Sequence, residues 1–222
     1  MPQLTREGAV FVLRWEDGEN RFRDESIRSW NAALDEIEAT DGPKALVTTG
    51  AGKFYSNGLD LEWAMRERKE SFPEYVMEVL ALLGRVLSFP CVTVAASNGH
   101  AFGAGAQLLV AHDYRLMRAE RGFFCMPEID MRAFLHPGMT ALLAARLPAQ
   151  TAHEVIATGT RYGGELALAR RIVDEAVAEA EVLPRAVARA AALAAKADPA
   201  MAVLKRGMYP RVLEALARKL EG

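Results

Sequence analysis

The run Ser97-Asn98-Gly99-His100-Ala101-Phe102-Gly103-Ala104-Gly105-Ala106-Gln107 consists largely of small residues, and Met126-Pro127-Glu128 downstream offers a lone carboxylate. Amides at a helix start are unpaired and sit at the positive end of the helix dipole, so they stabilise negative charge on a bound oxygen. A carboxylate nearby accepts a proton. Together, an amide-lined oxyanion site and a base for a carbon-bound proton are the apparatus of enolate chemistry.

Flanking elements must position these groups. Residues 91–97, Cys-Val-Thr-Val-Ala-Ala-Ser, form a β-branched run bounded by turn signals, which predicts a buried strand; from Ala104 the chain turns helical and almost wholly apolar. The same small residues would also serve simple close packing of a strand against a helix. A second junction lies at residues 44–62, where Lys-Ala-Leu-Val-Thr-Thr-Gly reads as a strand ending in a glycine turn, followed by a polar loop and a helix. Two such loops at one end of a parallel sheet would bring two backbone donors together.

The rest of the chain predicts a strand at 9–15, a helix at 24–39 with Asp24 as its cap, a strand at 44–49, helices at 60–69 and 73–88, and strands at 114–118 and 122–125. This alternation predicts an α/β layered fold. After Pro137 the pattern is helical, at 138–146, 149–158, 164–170, 182–196 and 200–219, with Asp198-Pro199 as a break. The expected organisation is an α/β core over 1–175 and a helical region over 176–222.

Glu128 needs partly apolar surroundings to raise its pKa towards the working pH, and Phe123, Phe124, Cys125, Met126 and Ile129 would supply them. Alternatively Pro127-Glu128 is an ordinary helix first turn, where proline and an acid are both favoured. His100 reads as a structural donor at a strand end and His112-Asp113 as a helix cap, while Asp60, Glu62 and Asp130 are possible second carboxylates. Ser97 lacks the Gly-x-Ser-x-Gly setting of a hydrolase nucleophile.

With 222 residues and 51% hydrophobic content, the chain can bury one sizeable core, and a net charge of −2 gives no broad attraction to nucleic acid or anionic membrane. The start lacks a signal-sequence pattern and no apolar run approaches the ~20 residues of a membrane span, so the cytoplasm is expected. Cys91 and Cys125 lie in apolar runs without metal-ligand spacing and are expected as reduced core thiols, with no metal.

Phe54-Tyr55-Ser56-Asn57-Gly58-Leu59-Asp60, Asn98-Gly99-His100-Ala101-Phe102-Gly103-Ala104-Gly105, Asp113-Tyr114-Arg115, Met126-Pro127-Glu128 and His136-Pro137-Gly138, in this order, resemble the crotonase superfamily of enoyl-CoA hydratases and isomerases. The resemblance covers nearly the whole chain. It implies a ββα spiral core with carboxyl-terminal helices, an acyl-CoA thioester as substrate, no cofactor beyond the coenzyme A it carries, and a homotrimer or hexamer, with Met201, Val203, Leu204, Met208, Val212 and Leu213 available for packing.

Carried over residue by residue, the resemblance assigns the oxyanion donors to the backbone N–H groups of Leu59 and Ala104. It assigns the proton acceptor to Glu128. Gly103, Gln107 and His136 would border the substrate, Lys53, Ser56, Asn57 and Gly58 would lie at the adenine end, and Lys205 near the phosphates. The family's hydratases carry a second carboxylate at the position of Gln107, where an amide cannot act as a base. That departure favours a double-bond isomerase with one base, as in the single-glutamate enoyl-CoA delta isomerases. A hydratase or other acyl-CoA enzyme on the same scaffold, and a non-catalytic acyl-CoA binder, are the alternatives.

Overall fold

The computed structural model describes residues 1–219. The chain begins with β1 (Pro2–Glu7), β2 (Val10–Trp15), β3 (Arg21–Phe22), α1 (Asp24–Ala39), β4 (Ala45–Gly50), β5 (Phe54–Ser56) and β6 (Gly58–Leu59). It continues through α2 (Leu61–Glu67), α3 (Phe72–Leu87), β7 (Val92–Ser97), β8 (His100–Phe102), α4 (Ala104–Ala111), β9 (Tyr114–Arg118) and β10 (Phe124–Cys125). The remainder holds α5 (Pro137–Arg146), α6 (Ala149–Thr158), α7 (Gly164–Ala169), β11 (Glu175–Val177), α8 (Glu179–Leu193), α9 (Pro199–Met208) and α10 (Pro210–Ala217).

Three consecutive turns of the chain repeat one pattern. Strands β4, β7 and β9 enter a six-stranded sheet ordered β1-β2-β4-β7-β9-β11, and β5, β8 and β10 each follow into a second sheet ordered β10-β8-β5. Helices complete each turn, giving the ββα spiral and the α/β class implied by the sequence. Apart from the β1–β2 hairpin, every strand pair in these sheets is parallel. The segments that leave β5, β8 and β10 therefore gather at one end of the second sheet.

Both faces of the larger sheet are covered, as its nearly continuous apolar strands require. Phe11, Leu13 and Leu46 face the main core with α1, α3 and α4. Val10, Val12, Val47 and Val94 face the other way, where Val182, Ala186 and Ala190 of α8 close over them. The 175/176 boundary falls inside β11, which pairs with β9 in the same sheet, and residues 220–222 of the expected helical region lie outside the described residues.

Several expectations are corrected. Arg23, not Asp24, caps α1, and the Ser26 hydroxyl accepts the Arg23 N–H at 2.9 Å. The single helix expected over 200–219 is two helices, broken at Tyr209-Pro210 because proline cannot donate to the preceding turn. The strand expected at 122–125 is only Phe124–Cys125. β1, β3, β5, β6, β8 and β11 had no counterpart among the expected strands, and β5 and β6 stand where a polar loop was expected. Among the described residues no helix is long and apolar enough to cross a membrane.

Candidate active site

Two junctions meet where β5 leads into β6 and where β8 leads into α4. Gly58 has φ of +78°, and a Cβ there would lie 2.7 Å from the Phe102 carbonyl oxygen and 3.0 Å from the Ala104 nitrogen. Only glycine fits at this approach. The next residue but one, Asp60, donates its N–H back to Phe22 O of β3 at 3.3 Å. Because successive amides along a strand point to opposite edges, the Leu59 N–H is directed away from β3, on the side where α4 begins. Ala104 is the first residue of α4, so its N–H has no carbonyl within the helix to bond.

A side chain staples the loops together. Asn98 accepts the Gly50 N–H at 2.9 Å and donates to Gly52 O at 3.0 Å, while the His100 N–H bonds Lys53 O at 3.0 Å.

The third contributor comes from β10. Cys125 pairs with Phe102, and the Gly103 N–H donates to Cys125 O at 3.1 Å, so the chain leaving β10 runs beside the start of α4. It delivers the Glu128 carboxylate against Gly103, whose φ of +51° and ψ of −121° belong to glycine. Glu128 Oε2 is buried without a hydrogen-bond partner. Burial pushes the pKa of this carboxyl above the ordinary 4.5, partly offset by a bond from its own backbone amide. Residues 128–132 form turns rather than a helix, closed by the Ala133 N–H on Glu128 O at 2.9 Å. Of the five expected apolar neighbours, Phe124, Cys125 and Met126 are buried, whereas Phe123 and Ile129 are exposed.

Gln107 lies one helical turn beyond Gly103 and is fully buried. Its amide nitrogen approaches Met126 Sδ at 3.8 Å, and its carbonyl oxygen has no partner. The other carboxylates are engaged elsewhere. Asp60 caps α2 through the Trp63 N–H and accepts from Arg23 Nε at 2.6 Å; that pairing holds its pKa below the ordinary value despite burial, which acts in the opposite sense. Asp130 faces Gly159 at the end of α6.

Several residues assigned to substrate contact have other partners. The Lys205 ammonium is buried against Asp113 Oδ2 at 2.6 Å and Cys91 O at 2.9 Å, at the end of β7 opposite the glycine junction. His136 caps α5: its Nδ1 accepts the Gly138 N–H at 3.0 Å and its Nε2 donates to Arg218 O at 3.1 Å, tying down the end of α10. Ser56 is fully buried, donating to Asn20 O at 2.7 Å and accepting the Gly58 N–H at 3.2 Å, so it shapes the turn. Asn57 holds Glu19 through its side chain at 2.9 Å and its N–H at 3.0 Å. Lys53 precedes β5, with its ammonium over the Phe54 ring, and lines a separate cleft of about 330 Å³ with Arg118 and Arg121.

Sequence reasoning missed a cleft of about 460 Å³ beside the start of α2, where Arg21, Arg23 and Arg66 alternate with the carboxylates of Asp17, Glu19, Asp60 and Glu62, and each arginine is ion-paired, to Glu19, Asp60 and Glu67. Arg21 also donates to Leu59 O at 3.2 Å. The alternation Arg21-Phe22-Arg23 was a signal for it, since period-2 spacing puts both guanidinium groups on one face of a strand.

The sequence profile of enoyl-CoA hydratase/isomerase matches residues 5–222. This chain belongs to the enoyl-CoA hydratase/isomerase family. Among similar proteins, the peroxisomal enoyl-CoA delta isomerase 2 of Arabidopsis thaliana is 32% identical over 96% of this chain and 93% of its own length. Carnitinyl-CoA dehydratase of Escherichia coli is 33% identical over 73% of this chain and 62% of that protein. An enoyl-CoA isomerase of Mycobacterium tuberculosis, solved in its apo form, superposes with a TM-score of 0.88 at 26% identity, covering 97% of this chain and 93% of that one. An enoyl-CoA hydratase of Mycobacterium ulcerans gives the same TM-score and identity, covering 97% of this chain and 94% of that one. Membership makes the chain an acyl-CoA enzyme of the enoyl-CoA hydratase/isomerase type. The same Mycobacterium tuberculosis protein is also described as a probable enoyl-CoA hydratase, so likeness of backbone does not separate the two reactions.

Proposed function

We propose that this enzyme converts 3-enoyl-CoA to 2-enoyl-CoA with one carboxylate. The observation that carries the reading is the pairing of Glu128, buried and unpartnered at one oxygen against Gly103, with an amide rather than an acid at Gln107. The thioester oxygen lies between the N–H groups of Leu59 and Ala104. Glu128 takes a proton from C2; the C–H electron pair forms a C1–C2 double bond, and the carbonyl electrons move onto the oxygen as a dienolate. The amide pair holds that charge. The protonated Glu128 then delivers the same proton to C4, which bonds it with the C3–C4 π pair; the C1–C2 pair becomes the C2–C3 double bond, and the oxygen pair re-forms the carbonyl. Atoms and charge balance, and the carboxylate is regenerated.

Hydration would need a second group to activate water, and Gln107 is neither acid nor base at neutral pH. Exposed Val203, Leu204 and Met208 on α9 support assembly as a trimer or a pair of trimers.

The test is turnover of a 3-enoyl-CoA and a 2-enoyl-CoA in deuterated water. Isomerised product, with little 3-hydroxyacyl-CoA from either substrate, is expected. Efficient hydration would overturn the single-base mechanism.

A further inference from the structure

We infer that Tyr75 is a positioning residue that sets the direction of the Leu59 N–H. The inference rests on the proposed role of that N–H as an oxyanion donor. Strands β3 and β6 pair over only Arg21↔Gly58 and Phe22↔Leu59, and so short a ladder does not fix its own register.

Tyr75, on α3, is fully buried with its ring between Trp63 and Phe72. Its hydroxyl bridges the two strands. It donates to Phe22 O at 2.8 Å and accepts the Asp60 N–H at 3.1 Å. That amide's direct bond to Phe22 O is long, at 3.3 Å. The peptide following Leu59 is thus held at both polar ends, by Tyr75 at its N–H and by Arg21 at its carbonyl. With that plane fixed, only the two backbone torsions of Leu59 separate it from the Leu59 N–H, so the bridge narrows the directions that this amide can take.

Phenylalanine would fill the same interior without a buried hydroxyl, so the hydroxyl's contribution lies in the bridge. Burial keeps it protonated, raising its pKa well above the ordinary tyrosine value. It therefore orients the backbone without exchanging protons with substrate.

Tyr75→Phe tests this. The readouts are kcat against KM and the infrared carbonyl stretch of a bound, unreactive conjugated acyl-CoA. The wild type is expected to lower the stretch relative to free ligand. The variant should show a smaller lowering, with kcat down about tenfold and KM within about twofold. Glu128→Gln should keep the full lowering, which separates carbonyl polarisation from proton transfer. Tyr75→Met, which lacks both ring and hydroxyl, is the second variant, should the first fail to fold, and should show the same loss. A full wild-type shift and kcat in either folded variant would overturn the role of Tyr75 alone. No shift in the wild type would overturn the oxyanion reading, and the positioning role with it.

Discussion

The Oε1 atom of Glu128 sits 3.5 Å from the point that a Cβ on Gly103 would occupy. Gly103 immediately precedes the Ala104 amide, so this gap separates the proposed base from a proposed oxyanion donor. A methyl group there would fill space that the reacting carbons need and would strain a backbone that favours glycine. Gly103→Ala is expected to lower kcat/KM by about 100-fold or more, with a stability cost of about 1–2 kcal/mol. Steady-state kinetics and a thermal melt check both.

Glu128→Gln removes the proposed proton acceptor while keeping its shape. Loss of about 10²–10⁴-fold in kcat is expected, with acyl-CoA affinity largely intact. In the wild type, kcat/KM should fall on the acid side with an apparent pKa above 4.5, because burial raises the Glu128 pKa. The stability effect has a definite sign. A raised carboxyl pKa means that the native state binds the proton more tightly than the unfolded chain, so ionising it at neutral pH opposes folding. Glu128→Gln should therefore raise the denaturation midpoint at pH 7, and the gain should vanish as pH falls below 4.5.

Gln107 has a buried carbonyl oxygen without a partner. Gln107→Leu removes that oxygen at similar volume and is expected to be neutral or stabilising by about 1 kcal/mol. Isomerase turnover should stay within about threefold, about 0.7 kcal/mol of barrier. A large loss of kcat would show that the amide participates.

Lys205→Met breaks the buried contacts with Asp113 and Cys91 O and leaves the Asp113 carboxylate one partner short. The expected cost is about 3 kcal/mol of stability. KM for the acyl-CoA should not change at temperatures where the variant is folded. A selective rise in KM would return Lys205 to the substrate site.

His112 predicts how stability depends on pH. Its Nδ1 lies 2.7 Å from Leu108 O, a carbonyl that can only accept, so Nδ1 carries the proton and Nε2 accepts from Thr48 at 2.9 Å. Thr48 in turn accepts from the Tyr55 hydroxyl at 2.7 Å. Burial lowers the His112 pKa from 6.5 to about 4. Below pH 6.5 the unfolded chain takes up a proton that the native state refuses, so stability is lost as pH falls towards 4. About 2 kcal/mol should disappear between pH 7.5 and pH 5. Urea titrations at the two pH values, with His112→Gln flattening the difference, check it.

Elements marked by local signals were legible in the sequence. Tyr114–Arg118 and Ala149–Thr158 match their expected bounds, the latter because proline and glycine stand at its two ends. β1 was not legible, since Pro2–Glu7 contains one large apolar residue, Leu4, and joins the sheet by pairing with β2 along its whole length. The glycine junctions and the Met-Pro-Glu segment could be read because strand, turn and helix adjoin in the chain. The partners of Lys205 and His136 were not legible, for the converse reason. A buried lysine looks like a solvated one until Asp113 is known to lie against it, and a capping histidine shows its role only once Arg218 O arrives. Tyr75 carried no signal at all, since its two partners lie outside α3, Phe22 at the end of β3 and Asp60 at the cap of α2.

The spiral has a consequence for how such a catalyst changes its chemistry. The two amides proposed to hold charge belong to the first two of the three ββα turns, whereas the proposed proton carrier belongs to the third. Rewriting the short stretch between β10 and α5 would thus exchange one reagent for another against an unaltered electrostatic floor, so new reactions on this scaffold can arise by replacing a single wall.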